Sequence, residues 1–333
     1  DVFEEVQSFW SGAPYSPDHG QKTCDFPPIC LVSETGVRTP CIEAAKEEKP
    51  AAHMAQNKAV VSYIAGYCRE NHIPQAQKIW MERLPERLAI EPLLQEQFDG
   101  GKWPEAKIQS GIGLLDDPYH QRQIPLMLDW EKNGHVLIYG APQTGKTTLL
   151  KTLLVSLALT RKPDDISIYI MDFGGWNLNL FRAMPHVGGV ANDQDPERLQ
   201  KLTPLLRDML SERKAAFAHA GVGNIRAYRE VTRQDIPDVL LVVDHISAAL
   251  KLYPELDGFF SDYTSSGANY GLYLAATAAA ANAVPMKIAQ NIKYILALQM
   301  IDKSDYTYLV GKAPSQLPAV MGRGYAKGTP PLG

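Results

Sequence analysis

Val136-Leu137-Ile138-Tyr139-Gly140-Ala141-Pro142-Gln143-Thr144-Gly145-Lys146-Thr147-Thr148-Leu149-Leu150 is the stretch that decides the fold. Four apolar residues suited to a buried strand run directly into G-x-x-x-x-G-K-[ST] at Gly140 to Thr147. Leucines at helical spacing follow (Leu149, Leu150, Leu153, Leu154, Leu157). Each residue type has a physical reason. The glycines reach backbone conformations closed to residues with a Cβ, so successive amides can turn inward onto phosphate oxygens. The start of a helix adds unpaired donors and the positive end of its dipole. Lys146 would neutralise the outer phosphates of a nucleoside triphosphate, and the Thr147 hydroxyl would ligate Mg²⁺. Gly140, Ala141, Pro142, Gln143, Thr144, Gly145, Lys146, Thr147 and Thr148 are therefore expected to hold ATP, with Mg²⁺ as the accompanying ion. A glycine-rich turn that matched by chance would lack the strand before it and the helix after it.

Working outward, Ile166 to Met171, Val239 to Val243, Leu272 to Ala276 and Tyr294 to Leu298 are further short apolar runs, separated by segments with helical periodicity. Buried strands alternating with helices imply an α/β fold with a mostly parallel central sheet flanked by helices. A phosphate loop also needs a carboxylate at the end of a neighbouring strand. Val239-Leu240-Leu241-Val242-Val243-Asp244 supplies one, and Asp244 is expected to hold Mg²⁺ through water. The next residue, where many such ATPases carry the glutamate that polarises the attacking water, is His245. An imidazole with a pKa of about 6.5 can accept a proton. A neutral ring nevertheless lacks the negative charge that orients water, and loss of a general base costs roughly 10²- to 10⁴-fold in rate. After the strand at Leu272, the run Thr277-Ala278-Ala279-Ala280-Ala281-Asn282 offers only Thr277 and Asn282 as groups that could contact a terminal phosphate. Binding is expected to survive better than catalysis, with Asp244 and a doubtful base in His245 as the catalytic candidates. Asp172, ending the strand after the P-loop helix, is either an auxiliary carboxylate or a turn-forming acid before Gly174-Gly175.

The 333 residues are enough for about two domains. A net charge of −4 gives no overall attraction to nucleic acid or to anionic lipid, so DNA is not an expected partner. No run approaches the roughly 18 apolar residues of a membrane span. The chain starts Asp1-Val2-Phe3 without methionine or a signal peptide, and is expected to be a piece of a longer protein whose membrane segments lie elsewhere. The four cysteines, Cys24, Cys30, Cys41 and Cys68, form no C-x-x-C pair, which makes free thiols in a reducing compartment the simpler reading. Residues 1–50 are rich in proline, glycine and charge. A helix is predicted over Ala51 to Glu70 from Val60, Tyr63, Ile64 and Tyr67, and prolines at 85, 92 and 104 break the next stretch into short elements.

Several stretches together resemble the FtsK/SpoIIIE family of P-loop motor ATPases, and within it the type VII secretion ATPases of the EssC/EccC group. They are Ile112-Gly113-Leu114-Leu115-Asp116-Asp117-Pro118-Tyr119-His120-Gln121, then Met171-Asp172-Phe173-Gly174-Gly175 followed by Met184-Pro185-His186-Val187-Gly188-Gly189-Val190, and the closing Met321-Gly322-Arg323-Gly324-Tyr325. The resemblance runs from about Gly111 to Lys327. Val6 to Tyr15 looks like the tail of a preceding module, which would make this the second in a tandem series. Two departures matter: the Asp-Glu pair is Asp244-His245, and the T-Q/S-R-P sensor run is Thr277-Ala278-Ala279-Ala280.

The resemblance implies a RecA-like sheet in the order 5-1-4-3-2, a position at the cytoplasmic face of a bacterial membrane, and hexamers of the full-length protein. It also implies partners among neighbouring ATPase modules and secreted small helical proteins or their signal segments. The organisation expected is 1–50 as the tail of a preceding module and linker, with loops and a few short strands, 51–110 as a helical and loop linker segment, and 111–333 as the ATPase domain. The expected function is ATP binding with weak or absent hydrolysis, in regulation or substrate engagement. Two alternatives stay open: an active ATP-driven translocase of DNA or protein, and a non-catalytic peptide-binding or packing module. Arg182, Arg213 and Arg323 are candidates for an arginine acting in trans, and Trp176 and Phe181 for either a peptide pocket or the core.

Overall fold

The computed structural model describes residues 8, 12, 15, 30–40, 54–76, 81–94, 99, 102–104, 108–311 and 317–327. Cys24, Cys41 and most of Val6 to Tyr15 lie outside them. The chain forms two compact units, Asp1–Ile79 and Trp80–Gly333. In the first, β1 (Cys30–Val32) pairs antiparallel with β2 (Arg38–Pro40), and α1 (Gln56–Glu70) supplies the predicted helix. Val60, Tyr63, Ile64 and Tyr67 on α1 are exposed.

The second unit opens with an antiparallel hairpin, β3 (Gln109–Asp117) and β4 (Arg122–Asp129), bulged between Gly111 and Gly113. The short helix α2 (Trp130–Asn133) leads to β5 (Val136–Tyr139) and α3 (Lys146–Thr160). Then come β6 (Ile166–Asp172), β7 (Val187–Asn192), α4 (Pro196–His219), α5 (Ile225–Thr232) and β8 (Asp238–Asp244). The chain ends with α6 (Ile246–Leu252), α7 (Leu256–Ser266), β9 (Leu272–Ala278), α8 (Met286–Ala289), β10 (Tyr294–Ala297), α9 (Lys303–Val310) and β11 (Tyr325–Lys327).

Seven strands form one sheet in the order β11-β10-β5-β9-β8-β6-β7, parallel except for β11. The five strands β10-β5-β9-β8-β6 give the order 5-1-4-3-2, extended by β7 at one edge and β11 at the other. Strands buried on both faces must be apolar at every position, and β8 shows how the two faces are shared. Val239, Leu241 and Val243 join the core cluster that holds Leu206 and Phe259 of α4 and α7. Leu240 and Val242 join the one that holds Leu150, Leu153 and Leu154 of α3. This alternation is the period of two of a pleated strand. The hairpin is fastened to α3 by the Gly111 amide, which donates to Ser156 Oγ at 2.7 Å. At the parallel sheet's carboxyl edge, β5, β8 and β9 end side by side, and it is at this edge that open α/β sheets bind their ligands.

Candidate nucleotide site

β5 hands the chain to Gly140, whose amide donates to Ala278 O (3.1 Å), while that of Ala141 donates to Gln299 O (2.8 Å). The loop therefore starts pinned to the tops of β9 and β10. A Cβ on Gly140 would lie 2.5 Å from Thr144 Oγ1 and 3.1 Å from Leu298 Cβ, so only glycine fits. Gln143 (φ 63°) and Gly145 (φ 104°) turn the backbone through the left-handed region. Among the described residues, no chain atom receives a hydrogen bond from the amides of Gln143 to Thr148. That row of free donors at the start of α3 is what a phosphate group requires. The Lys146 ammonium donates to Gly140 O and Ala141 O, both at 2.7 Å. Burial draws it below the ordinary lysine value, and the charge of Asp244 acts in the opposite sense.

Thr147 and Asp244, 97 positions apart, meet through a hydrogen bond from the hydroxyl to Oδ2 at 2.8 Å. The other oxygen, Oδ1, accepts from Thr277 Oγ1 at 2.5 Å. Thr277 in turn accepts the main-chain N–H of His245 at 2.7 Å. Asp244 is 2% exposed, and both of its partners are neutral hydroxyls. A divalent cation coordinated by Thr147 and by water on Asp244 would exchange these bonds without uncovering a fixed charge. The free amides, the ammonium and this hydroxyl-carboxylate pair fit a triphosphate with its metal ion.

His245 caps the N-terminus of α6 in the left-handed conformation (φ 65°, ψ 59°), which costs a non-glycine residue about 1–2 kcal/mol. The Thr277 hydroxyl holds it there. Thr277, read from the sequence as a phosphate-contacting group, thus binds Asp244 and the His245 backbone, while Asn282 is exposed. Asp172 accepts from the Gly174 amide (3.0 Å) and the Leu178 amide (2.8 Å), the turn-forming role of the two considered. Sequence reasoning missed Gly174. A Cβ there would overlap Asp244 Oδ2, so the close approach of this turn to the carboxylate depends on glycine. It also missed the C-terminal turn against the loop, where Gly322 N–H donates to Thr144 O at 2.9 Å.

The other candidates make contacts of their own or are exposed. Arg213 donates to Tyr270 O (2.7 Å) and Pro237 O (2.6 Å) at the opposite edge of the sheet. Arg323 donates to Leu84 O at 2.9 Å, and Arg182 is exposed. Phe181 is in the core, whereas Trp176 is 46% exposed.

The FtsK/SpoIIIE family profile matches residues 94–329. The chain belongs to the FtsK/SpoIIIE family. Among curated relatives, the type VII secretion system protein EssC of Staphylococcus aureus (strain MRSA252) is 26% identical over 329 residues, covering 97% of this chain and 22% of that protein. The chain thus spans about a fifth of the length of such relatives. A solved structure of EssC (ATPases 2 and 3) from Geobacillus thermodenitrificans superposes with a TM-score of 0.67 at 26% identity, covering 74% of this chain and 46% of that one. Another, Thermomonospora curvata EccC (ATPases 2 and 3) in complex with a signal sequence peptide, is 30% identical with a TM-score of 0.57, covering 66% and 40%. The fold is that of the P-loop ATPase domains of these secretion proteins. No helix among the described residues is long and apolar enough to cross a membrane.

Proposed function

We propose that this chain is an ATP-binding module of a membrane-anchored type VII secretion ATPase, binding ATP with Mg²⁺ and hydrolysing it slowly or not at all. The observation that carries the reading is the Thr147 to Asp244 hydrogen bond of 2.8 Å beside a row of free amides. It supports a working phosphate and metal site. The residue after Asp244 is His245, which supplies no carboxylate to orient water. Lys146, Thr147 and Asp244 bind and place the phosphates and the ion, and the ion's chemistry is to neutralise charge on the outer phosphates.

A module that binds without turning over can act in regulation or substrate engagement, if nucleotide favours one arrangement against its neighbours. The partners in this reading are the adjoining ATPase modules and small helical secreted proteins or their signal segments. The signal peptide bound to the Thermomonospora EccC structure is the support for the latter. Residues 1–50 would then be the tail of a preceding module and 111–333 the ATPase domain. The module would work beneath the bacterial membrane, in hexamers of the full-length protein.

Equilibrium binding of ATP with Mg²⁺, followed by a phosphate-release assay, tests this. The wild type should bind, yet release phosphate below roughly one per second, the bottom of the usual enzyme range. His245→Glu should raise turnover at least tenfold, a modest part of what a general base contributes (about 10²–10⁴). Brisk turnover by the wild type would instead establish a translocating motor.

A further inference from the structure

The turn that follows β6 lies directly on the carboxylate of the nucleotide site. Asp172 folds this turn by accepting from the amides of Gly174 (3.0 Å) and Leu178 (2.8 Å), and Asn177 Nδ2 donates to Gly174 O at 3.0 Å. Phe173 N–H donates to Asp244 O at 3.1 Å, which ties the entry of the turn to the end of β8. Beside it, a Cβ on Gly174 would lie 2.8 Å from Asp244 Cγ, so the main chain of the turn packs against the carboxylate. The backbone then passes through Gly175 (φ 100°) and Trp176 (φ 64°). Positive φ is ordinary for glycine and an outlier for a bulky side chain. Trp176 is 46% exposed and Leu180 62% exposed, so the hydrogen bonds of the turn, rather than burial of the indole, hold that conformation.

We propose that the 173–178 turn is a metal-sensing element, displaced when Asp244 takes up a magnesium–nucleotide complex, and that Trp176 carries the displacement to the surface. Room is the first reason. Thr147 Oγ1 and Asp244 Oδ2 are in direct hydrogen-bond contact at 2.8 Å. An octahedral ion that keeps several of its waters cannot be shared by two oxygens that touch, so the carboxylate has to part from the hydroxyl. Its neighbours decide how. Oδ1 is held at 2.5 Å by Thr277, a fully buried residue of β9, and the Oδ2 side is backed by Gly174. Unequal stiffness is the second reason. β9 is paired along both edges, with β5 and β8, whereas the turn lies at the surface and carries two consecutive residues at positive φ. Strain of this kind persists only while surrounding contacts impose it, and it gathers at switch segments. The turn is the side that yields.

The ends of the turn stay fixed. The Phe173 ring packs 6.0 Å from that of Tyr253, and Leu178 is buried in the core. Movement is therefore confined to residues 174–177, where the two glycines supply the freedom and Trp176 the side chain that reports it. A ligand shifts such an equilibrium only by favouring one arrangement, and here the preference comes from the space that Gly174 takes beside Asp244. The apolar surface offered by Trp176 then differs between the free and the loaded protein.

This inference rests on the nucleotide-binding reading, and the test separates the two. Calorimetry and tryptophan emission are recorded in parallel for the wild type, Trp176→Phe and Gly174→Ala, titrated to saturation with ATP and Mg²⁺ or with ATP in EDTA. The wild type should change its emission with ATP and Mg²⁺, and much less with ATP in EDTA. Trp176→Phe should lose that change while binding with unaltered affinity. In Gly174→Ala the added methyl pushes the turn off the carboxylate beforehand. Its emission without ligand should already match that of the loaded wild type, and its affinity for ATP with Mg²⁺ should be equal or higher. Equal emission changes in the wild type and Trp176→Phe, or with and without Mg²⁺, would overturn the sensor while leaving the phosphate site standing. So would a Gly174→Ala protein with wild-type emission and weakened binding. If that variant does not fold, the comparison of Trp176→Phe with the wild type still decides. Absence of any calorimetric binding by the wild type would overturn the nucleotide reading itself.

Discussion

Strand β8 begins and ends on a buried aspartate, and the two carboxylates are handled in opposite ways. Asp244, at the carboxyl edge of the sheet, accepts from the hydroxyls of Thr147 and Thr277 and faces the free amides of the P-loop. Asp238 lies six residues earlier, about 20 Å along the strand, and is 0% exposed. Its Oδ2 lies 3.1 Å from Arg229 Nη2, and Arg213 binds the carbonyls of Pro237 and Tyr270 next to it. Burial pushes the Asp238 carboxyl up to about 6, with the Arg229 charge and its hydrogen bond pulling the other way. One acid is held by neutral donors that a cation can replace. The other is buried against the guanidinium of Arg229, a fixed charge of the chain itself. Burial alone does not mark a functional carboxylate, and the exchangeability of its partners separates the two ends.

The largest effect that would sharpen this contrast is on stability. Arg229→Ala removes the counter-charge of Asp238, and breaking a buried pair costs about 3–5 kcal/mol. A denaturant titration at neutral pH should show that loss, with affinity for ATP and Mg²⁺ unchanged in the folded protein. Unaltered stability would mean that the Asp238 end carries no structural charge pair.

The pH dependence should follow the same division. Between about pH 3.8 and pH 6 the native Asp238 keeps a proton that the unfolded chain has released, since its value of about 6 stands above the ordinary 3.8. Its contribution to stability is therefore whole below about 3.8 and is lost as pH rises through about 6. Two pKa units correspond to about 3 kcal/mol. The stability of the wild type relative to Asp238→Asn should fall by about that amount between pH 4 and pH 7, read from paired urea titrations. A gap that stays constant across this window would contradict the assignment.

At the other end of β8 the expected change is in ligand affinity. Asp244→Asn should weaken ATP binding in the presence of Mg²⁺ by about tenfold to a hundredfold, the range of one charge-assisted interaction. Its effect without the ion should be small. Equal losses with and without Mg²⁺ would place Asp244 outside the metal site.

Much of this architecture was legible in the residues. Val136 to Tyr139 matches β5 at both ends, and the apolar runs at Ile166, Val239, Leu272 and Tyr294 are all strands of the sheet. Strands buried on both faces leave continuous apolar runs that need no neighbour to be noticed. β7 escaped because Val187-Gly188-Gly189-Val190 carries two glycines, which lack the side chains a strand packs with. The β3–β4 hairpin escaped because its bulge and Pro125 interrupt the alternation.

At the site, the loop could be read because it is contiguous. The positions of Gly174 and Thr277 against Asp244 could not, because they arise from the pairing of β6, β8 and β9. That register sets Asp172 opposite Asp244 and Val243 opposite Ala276. Contacts made by register across tens of residues leave no local pattern.

The central claim is that the amides of Gln143 to Thr148, with the Lys146 ammonium, hold a triphosphate. Calorimetric titration of the wild type and Lys146→Ala with ATP and Mg²⁺ tests it most directly. Saturable binding by the wild type, weakened about tenfold to a hundredfold in the variant, is the result predicted. Identical binding curves for the two proteins would contradict it.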